Sequence, residues 1–201
     1  EYVGGQVGEE LREQGGIALL LAFFVVLIYV AMRFQLKFGL ASVVPLVHDV
    51  LIVLGIFSVF QLTFDLTVLA ALLAVIGYSL NDTIIVSDRI RENFRRILKG
   101  EPEEIINISL NQVLLRTIVT SGTTLVVLIS LLVFGGEMIR NFALALFIGV
   151  LVGTYSSIYV AANMLVALNV NRDDLYVPQK EGAEGSQPEE EDPPDWLKRM
   201  E

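Results

Sequence analysis

The 201-residue chain contains no cysteine, which excludes disulfides and cysteine-ligated metals. It has no GxxxxGK[ST] phosphate loop, and Lys99-Gly100 is not followed by the residues such a loop needs. Neither a catalytic-triad order nor a zinc-ligand spacing can be drawn, so no enzyme, metal or bound cofactor is expected. Any energy source is then not ATP held by this chain. A basic leader is missing too. The first apolar block follows the acidic stretch Glu9-Glu10-Leu11-Arg12-Glu13, unlike the basic start of a signal peptide. The chain opens with Glu1 rather than Met, so it is expected to be a piece of a longer protein.

What is abundant is apolar sequence. Hydrophobic residues make up 54% of the chain and the mean hydropathy is +0.63. The excess lies in five blocks, each near or above the ~18–20 residues that cross a bilayer core. The predicted spans are 17–34, 39–60, 66–90, 117–134 and 142–168. A buried core in water would need polar faces, which 18–32 and 125–134 lack. A membrane barrel would need short alternating segments instead. The expected fold is therefore all-α and integral to the membrane. Residues 1–16 form a segment leading in, 17–168 the helical domain with a link at 91–116, and 169–201 a tail. The net charge of −9 is mostly a tail effect, with ten acids and four bases beyond Val170. Rich in Pro, Glu, Gly and Ser, the tail is predicted to be disordered and solvating.

Positive charge near span ends marks the cytoplasmic side. Arg33 and Lys37 flank one link, and Arg89, Arg91, Arg95, Arg96 and Lys99 crowd the link after span three. Link 61–65 has no base and link 135–141 has Arg140 alone. The first residues are thus expected outside and the acidic tail inside. In the basic link, Ile90, Phe94 and Ile97 share one apolar face up to Gly100, and Glu101-Pro102-Glu103-Glu104 suits the start of a further helix.

The costliest residue is Asp82, in Tyr78-Ser79-Leu80-Asn81-Asp82-Thr83 within span three. A charge at that depth costs at least ~2.5–3.5 kcal/mol on insertion scales. Helical spacing puts it on a face with Tyr78, Ser79 and Val86. Asn81 suits a static hydrogen bond between helices. Asp82 suits a proton-linked role, because a carboxylate needs a proton or a cation where an amide does not. Span four opens with Arg116, and Thr120 and Thr124 follow on the same face, with Ser121 and Gly122 allowing close approach. Arg116 reads either as an ion partner of Asp82 or as an anchor reaching lipid headgroups. His48-Asp49 in span two, near Pro45 and Ser42, reads as a relay with a second carboxylate or as a buried pair that orders the bundle. Asp65 and Asp88 stand at span ends as caps. Gly149 and Gly153 form a GxxxG row in span five.

The stretch Gly77-Tyr78-Ser79-Leu80-Asn81-Asp82-Thr83-Ile84-Ile85-Val86-Ser87-Asp88-Arg89-Ile90-Arg91-Glu92-Asn93 resembles the SecD/SecF family of protein-export membrane proteins. Further stretches agree: Val7-Gly8-Glu9-Glu10-Leu11, Leu115-Arg116-Thr117-Ile118-Val119-Thr120-Ser121-Gly122-Thr123-Thr124, Gly135-Gly136, Asn141-Phe142-Ala143 and Gly153-Thr154-Tyr155-Ser156-Ser157. The Asn-Asp-Thr and Tyr-Ser-Ser forms are similar to the SecF side of the family. Two positions depart: Ser87 stands where an aromatic is usual, and Gly5 where Pro is common.

The resemblance implies spans two to six of a six-span half-bundle of the resistance-nodulation-division type, paired with SecD in the bacterial plasma membrane beside the SecYEG channel. It implies Asp82 as a proton-translocation residue assisted by Arg116, with protons as the coupling ion and a preprotein as cargo. His48, Asp49, Tyr78, Ser79, Asn81, Thr120, Ser121 and Thr124 are candidate relay or supporting residues. Nucleic acid is not an expected partner. The rival expectations are a proton-coupled small-molecule or lipid exporter of the same superfamily, and a passive structural subunit.

Overall fold

The structure, a computed structural model, describes residues 5–33, 36–97 and 100–170. The predicted tail therefore lies almost wholly outside the described residues. The described chain is all-α: α1 Gly5–Arg33, α2 Leu36–Val59, α3 Leu66–Arg96, α4 Pro102–Phe134 and α5 Glu137–Ala167. All five are long and apolar enough to cross a membrane. Helices suit that setting because each satisfies its own backbone hydrogen bonds where no water can do so.

Helix ends extend beyond the apolar blocks. Helix α1 starts at Gly5 rather than near residue 17, since Glu9–Gln14 is a run of strong helix formers. Helix α3 has 31 residues and α4 has 33. At 1.5 Å per residue each reaches about 46–50 Å, well past a hydrocarbon core of about 30 Å. The surplus carries Arg89–Arg96 and Pro102–Gln112, so most of link 91–116 is helical. Between them Gly100 takes φ +136°, a conformation that side chains resist. Asp65 caps α3, accepting from the Thr67 and Val68 amides at 2.9 and 3.0 Å. Pro102 occupies the first turn of α4, where its missing N–H costs nothing.

Helix α5 packs against α2, α3 and α4, while α1 rests on α2 and α3. Lipid offers no hydrophobic drive for this, so close fit decides it. A Cβ on Gly149 would overlap the Val75 side chain of α3. The GxxxG row thus serves contact inside the bundle. Large apolar side chains such as Leu20, Phe24, Val126 and Phe134 point outward, as a lipid solvent permits.

Two apolar clusters fill the interior. One joins Phe38, Val86, Ile90, Phe94, Ile105 and Leu165; the other joins Leu46, Val53, Val68, Leu72, Ile76 and Ala145. On α3 and α5 the stretch between them is polar: Ser79, Asp82, Thr83, Ser156 and Ser157 are all buried. Thr117 and Ser121 of α4 join this layer.

Candidate functional site

Helices α3 and α4 run antiparallel, and their polar contacts set the register. Near the basic end, Asn93 Nδ2 donates to Ser109 Oγ at 2.8 Å, and Arg89 Nε to Gln112 Oε1 at 2.6 Å. Towards the middle, the Tyr78 hydroxyl lies 3.4 Å from both Ser121 Oγ and Thr124 Oγ1. These contacts bring Asp82 and Thr83 within a helical turn of the level of Thr117. The level is unusual in one respect. Asp82 Oδ2, Thr83 Oγ1 and Thr117 Oγ1 are all buried without a hydrogen-bond partner among the described residues. Asp82 is 2% exposed.

Arg116, one residue before Thr117, is exposed. No ion pair joins it to Asp82 among the described residues. The described ion pairs near the basic end are local to α3: Arg89–Glu92, Arg91–Asp88 and Arg96–Glu92. Thr120 and Thr124 donate to their own helix, to Arg116 O and Thr120 O, each at 3.0 Å. Ser121 accepts from Thr154 Oγ1 of α5 at 2.7 Å. Asn81 faces outward, exposed, rather than gluing helices within the bundle.

A second carboxylate, Asp49 of α2, has the opposite surroundings. It is 1% exposed, and its Oδ2 accepts from Ser79 Oγ of α3 at 2.6 Å and from Ser156 Oγ of α5 at 2.8 Å. His48 Nδ1 lies 3.0 Å from Oδ1. No hydrogen bond runs from His48 or Asp49 to Asp82 among the described residues. The link between the two carboxylates is the α3 backbone, since Ser79 stands three residues before Asp82.

One buried carboxylate is thus satisfied, while the other, Asp82, has an oxygen without a hydrogen-bond partner among the described residues. The chain matches the family described as "Protein export membrane protein SecD/SecF, C-terminal" over residues 1–171. The chain belongs to the SecD/SecF family. It is 58% identical over 179 residues to a protein translocase subunit SecF of Pseudomonas aeruginosa, covering 89% of this chain. It is 50% identical over 186 residues to that of Escherichia coli O157:H7, covering 92%. The chain spans 58% of the length of each of these relatives. Among solved structures, it is similar to SecDF from Thermus thermophilus, a translocon-associated membrane protein. The TM-score is 0.78 at 48% identity, over 83% of this chain and 23% of that one.

Beyond the candidate site residues read from the sequence, the geometry adds several. Ser156 enters as a donor to Asp49, Thr154 as a donor to Ser121, and Thr83 and Thr117 as buried neighbours of Asp82. Ser156 carried a faint signal, being one turn beyond Gly153 on the small-residue face of α5. Thr117 begins the polar run that ends at Thr124. Gln112 gave no signal, because a glutamine near a basic link reads as solvated.

Proposed function

We propose that this chain is the membrane portion of a proton-driven accessory subunit of the Sec preprotein translocase. It works with SecD beside the SecYEG channel in the bacterial plasma membrane, with its first residues external and its tail cytoplasmic. Asp82 carries the proton and Arg116 is its switching partner. The observation that supports this is Asp82 itself: a buried carboxylate oxygen without a partner, one helix away from an exposed arginine.

The chemistry follows from charge. Ionised Asp82 attracts Arg116; protonated Asp82 does not, and the arginine is free to move. A unit charge moving through the membrane field gains about 2.3 kcal/mol per 100 mV, enough to bias such a two-state element. Membership of the SecD/SecF family supports protein as the cargo.

The test is Asp82→Asn in the full-length protein paired with SecD. Proton-motive-force-dependent completion of preprotein translocation is expected to disappear while the complex still assembles. Normal translocation by that variant would sink the proposal. For Arg116, Met should impair transport and Lys should partly restore it; a silent Arg116→Met would leave only headgroup anchoring.

A further inference from the structure

We propose that Asp49 is a positioning residue for the proton site: through Ser79 and Ser156 it ties α3 to α2 and α5 at one rotation and so aims Asp82 at α4. The inference rests on Asp82 being the proton carrier.

Two hydroxyls from two helices converge on one oxygen, at 2.6 and 2.8 Å. A serine has a single side-chain torsion before its oxygen. A bond from so short an arm therefore fixes the backbone behind it, where a long side chain would absorb the strain. Ser79 lies about 4.5 Å along α3 from Asp82 and about 60° round it. A twist of α3 at Ser79 is thus passed to Asp82 almost undiminished.

The packing is built for this approach. A Cβ on Gly153 would stand 3.4 Å from Asp49 Oδ2 and 3.3 Å from Ser79 Cβ, so glycine lets α5 close on the carboxylate. The other flank of α3 is held differently. There the contacts are the 3.4 Å approaches of Tyr78, a long arm, to Ser121 and Thr124. At the level of the carboxylates the short bonds to Asp49 thus join α2, α3 and α5, while α4 meets α3 through the longer Tyr78 contacts and α5 through the 2.7 Å Thr154–Ser121 bond. The short contacts of α3 with α4 lie further on, at Asn93–Ser109 and Arg89–Gln112.

The titratable or charged groups around the site are few. Helix α4 offers Arg116, α2 offers His48 and Asp49, and α3 offers Tyr78 beside Asp82 itself. Helix α5 offers the hydroxyls of Thr154, Ser156 and Ser157, and an outward stacked pair, Tyr155 and Tyr159.

The experiment uses the full-length protein with SecD in proteoliposomes. Ser79→Ala, Ser156→Ala and Asp49→Asn are compared by transport rate, by its pH profile and by the infrared C=O stretch of protonated Asp82. That band is assigned by its loss in Asp82→Asn. Misplacing a reacting group by about 1 Å can cost about a hundredfold in rate. The assembled variants are expected to lose about tenfold or more, with the Asp82 band and the pH midpoint both displaced. The serine variants delete one oxygen each and carry the test if Asp49→Asn does not assemble. An unmoved band and midpoint in assembled variants would overturn the positioning role. So would transport abolished in Asp49→Asn with the Asp82 band unmoved, which would make Asp49 a carrier. Normal transport in Asp82→Asn is a separate outcome that removes the carrier assignment itself.

Discussion

Asp49 and Asp82 are both carboxylates at the middle of membrane-crossing helices, and both are almost wholly shielded. Their surroundings differ completely. Asp49 collects two serine donors and a histidine; Asp82 Oδ2 collects none, and two threonine hydroxyls beside it are orphaned as well. A buried polar group without partners costs about 1–3 kcal/mol, more when charged. A satisfied carboxylate holds helices together, while an unsatisfied one stays available to a proton. The proposed proton carrier and the proposed positioning residue thus differ in one observable, the hydrogen bonding of a buried carboxylate.

Removing each carboxylate in turn should break the two apart. The largest effect is expected from Asp82→Asn, which should reduce translocation to the level seen without a proton-motive force. Its folding stability in detergent titration should not fall, because Asp82 Oδ2 has no hydrogen bond to lose and the change removes a buried charge. Asp49→Ala should do the reverse to stability. It strands the buried Ser79 hydroxyl and leaves Ser156 only its 3.2 Å contact with Gly153 O, and a loss of about 2 kcal/mol is expected. Equal destabilisation by the two changes would erase the distinction.

Gly153 sharpens the comparison on the Asp49 side. Alanine there gains about 1 kcal/mol of helix propensity. Overpacking against Ser79 costs about 1–3 kcal/mol. The net expectation for Gly153→Ala is a loss of about 1 kcal/mol, measured by the same titration. Combined with Asp49→Ala the losses should fall short of additive, because both act on one contact.

This contrast was half legible in the sequence. Asp82 is readable because a charge in an apolar block is costly wherever its helix faces. The helices are readable for the same reason, since about 20 apolar residues in lipid have one common solution. The partners of Asp49 are another matter. Helices α2 and α5 are apolar nearly all round, so periodicity does not say which face meets which neighbour. Ser79 was read with Asp82, on its own helix, and the structure turns it to Asp49. Ser156 was read as part of the Tyr-Ser-Ser stretch, with no partner assigned. The early start of α1 was not read, because helix propensity continues where hydropathy stops, whereas the extensions of α3 and α4 follow the apolar face of the basic link and the Glu101-Pro102 start.

The smallest effect is also the most discriminating. Thr83 is fully buried and its hydroxyl has no partner among the described residues. Valine has the same shape and lacks that hydroxyl. Thr83→Val is therefore expected to leave stability unchanged or raise it by up to about 1 kcal/mol, because no bond is lost and a buried polar atom is removed. Ser79→Ala, one helical turn away, should lower stability by a similar amount, since its hydroxyl donates to Asp49. The opposite signs of two single-oxygen deletions on one helix would place the boundary between scaffold and proton site between Ser79 and Thr83. If Thr83→Val is instead destabilising, the threonine hydroxyl has a partner of its own, and the unsatisfied region narrows to Asp82 and Thr117.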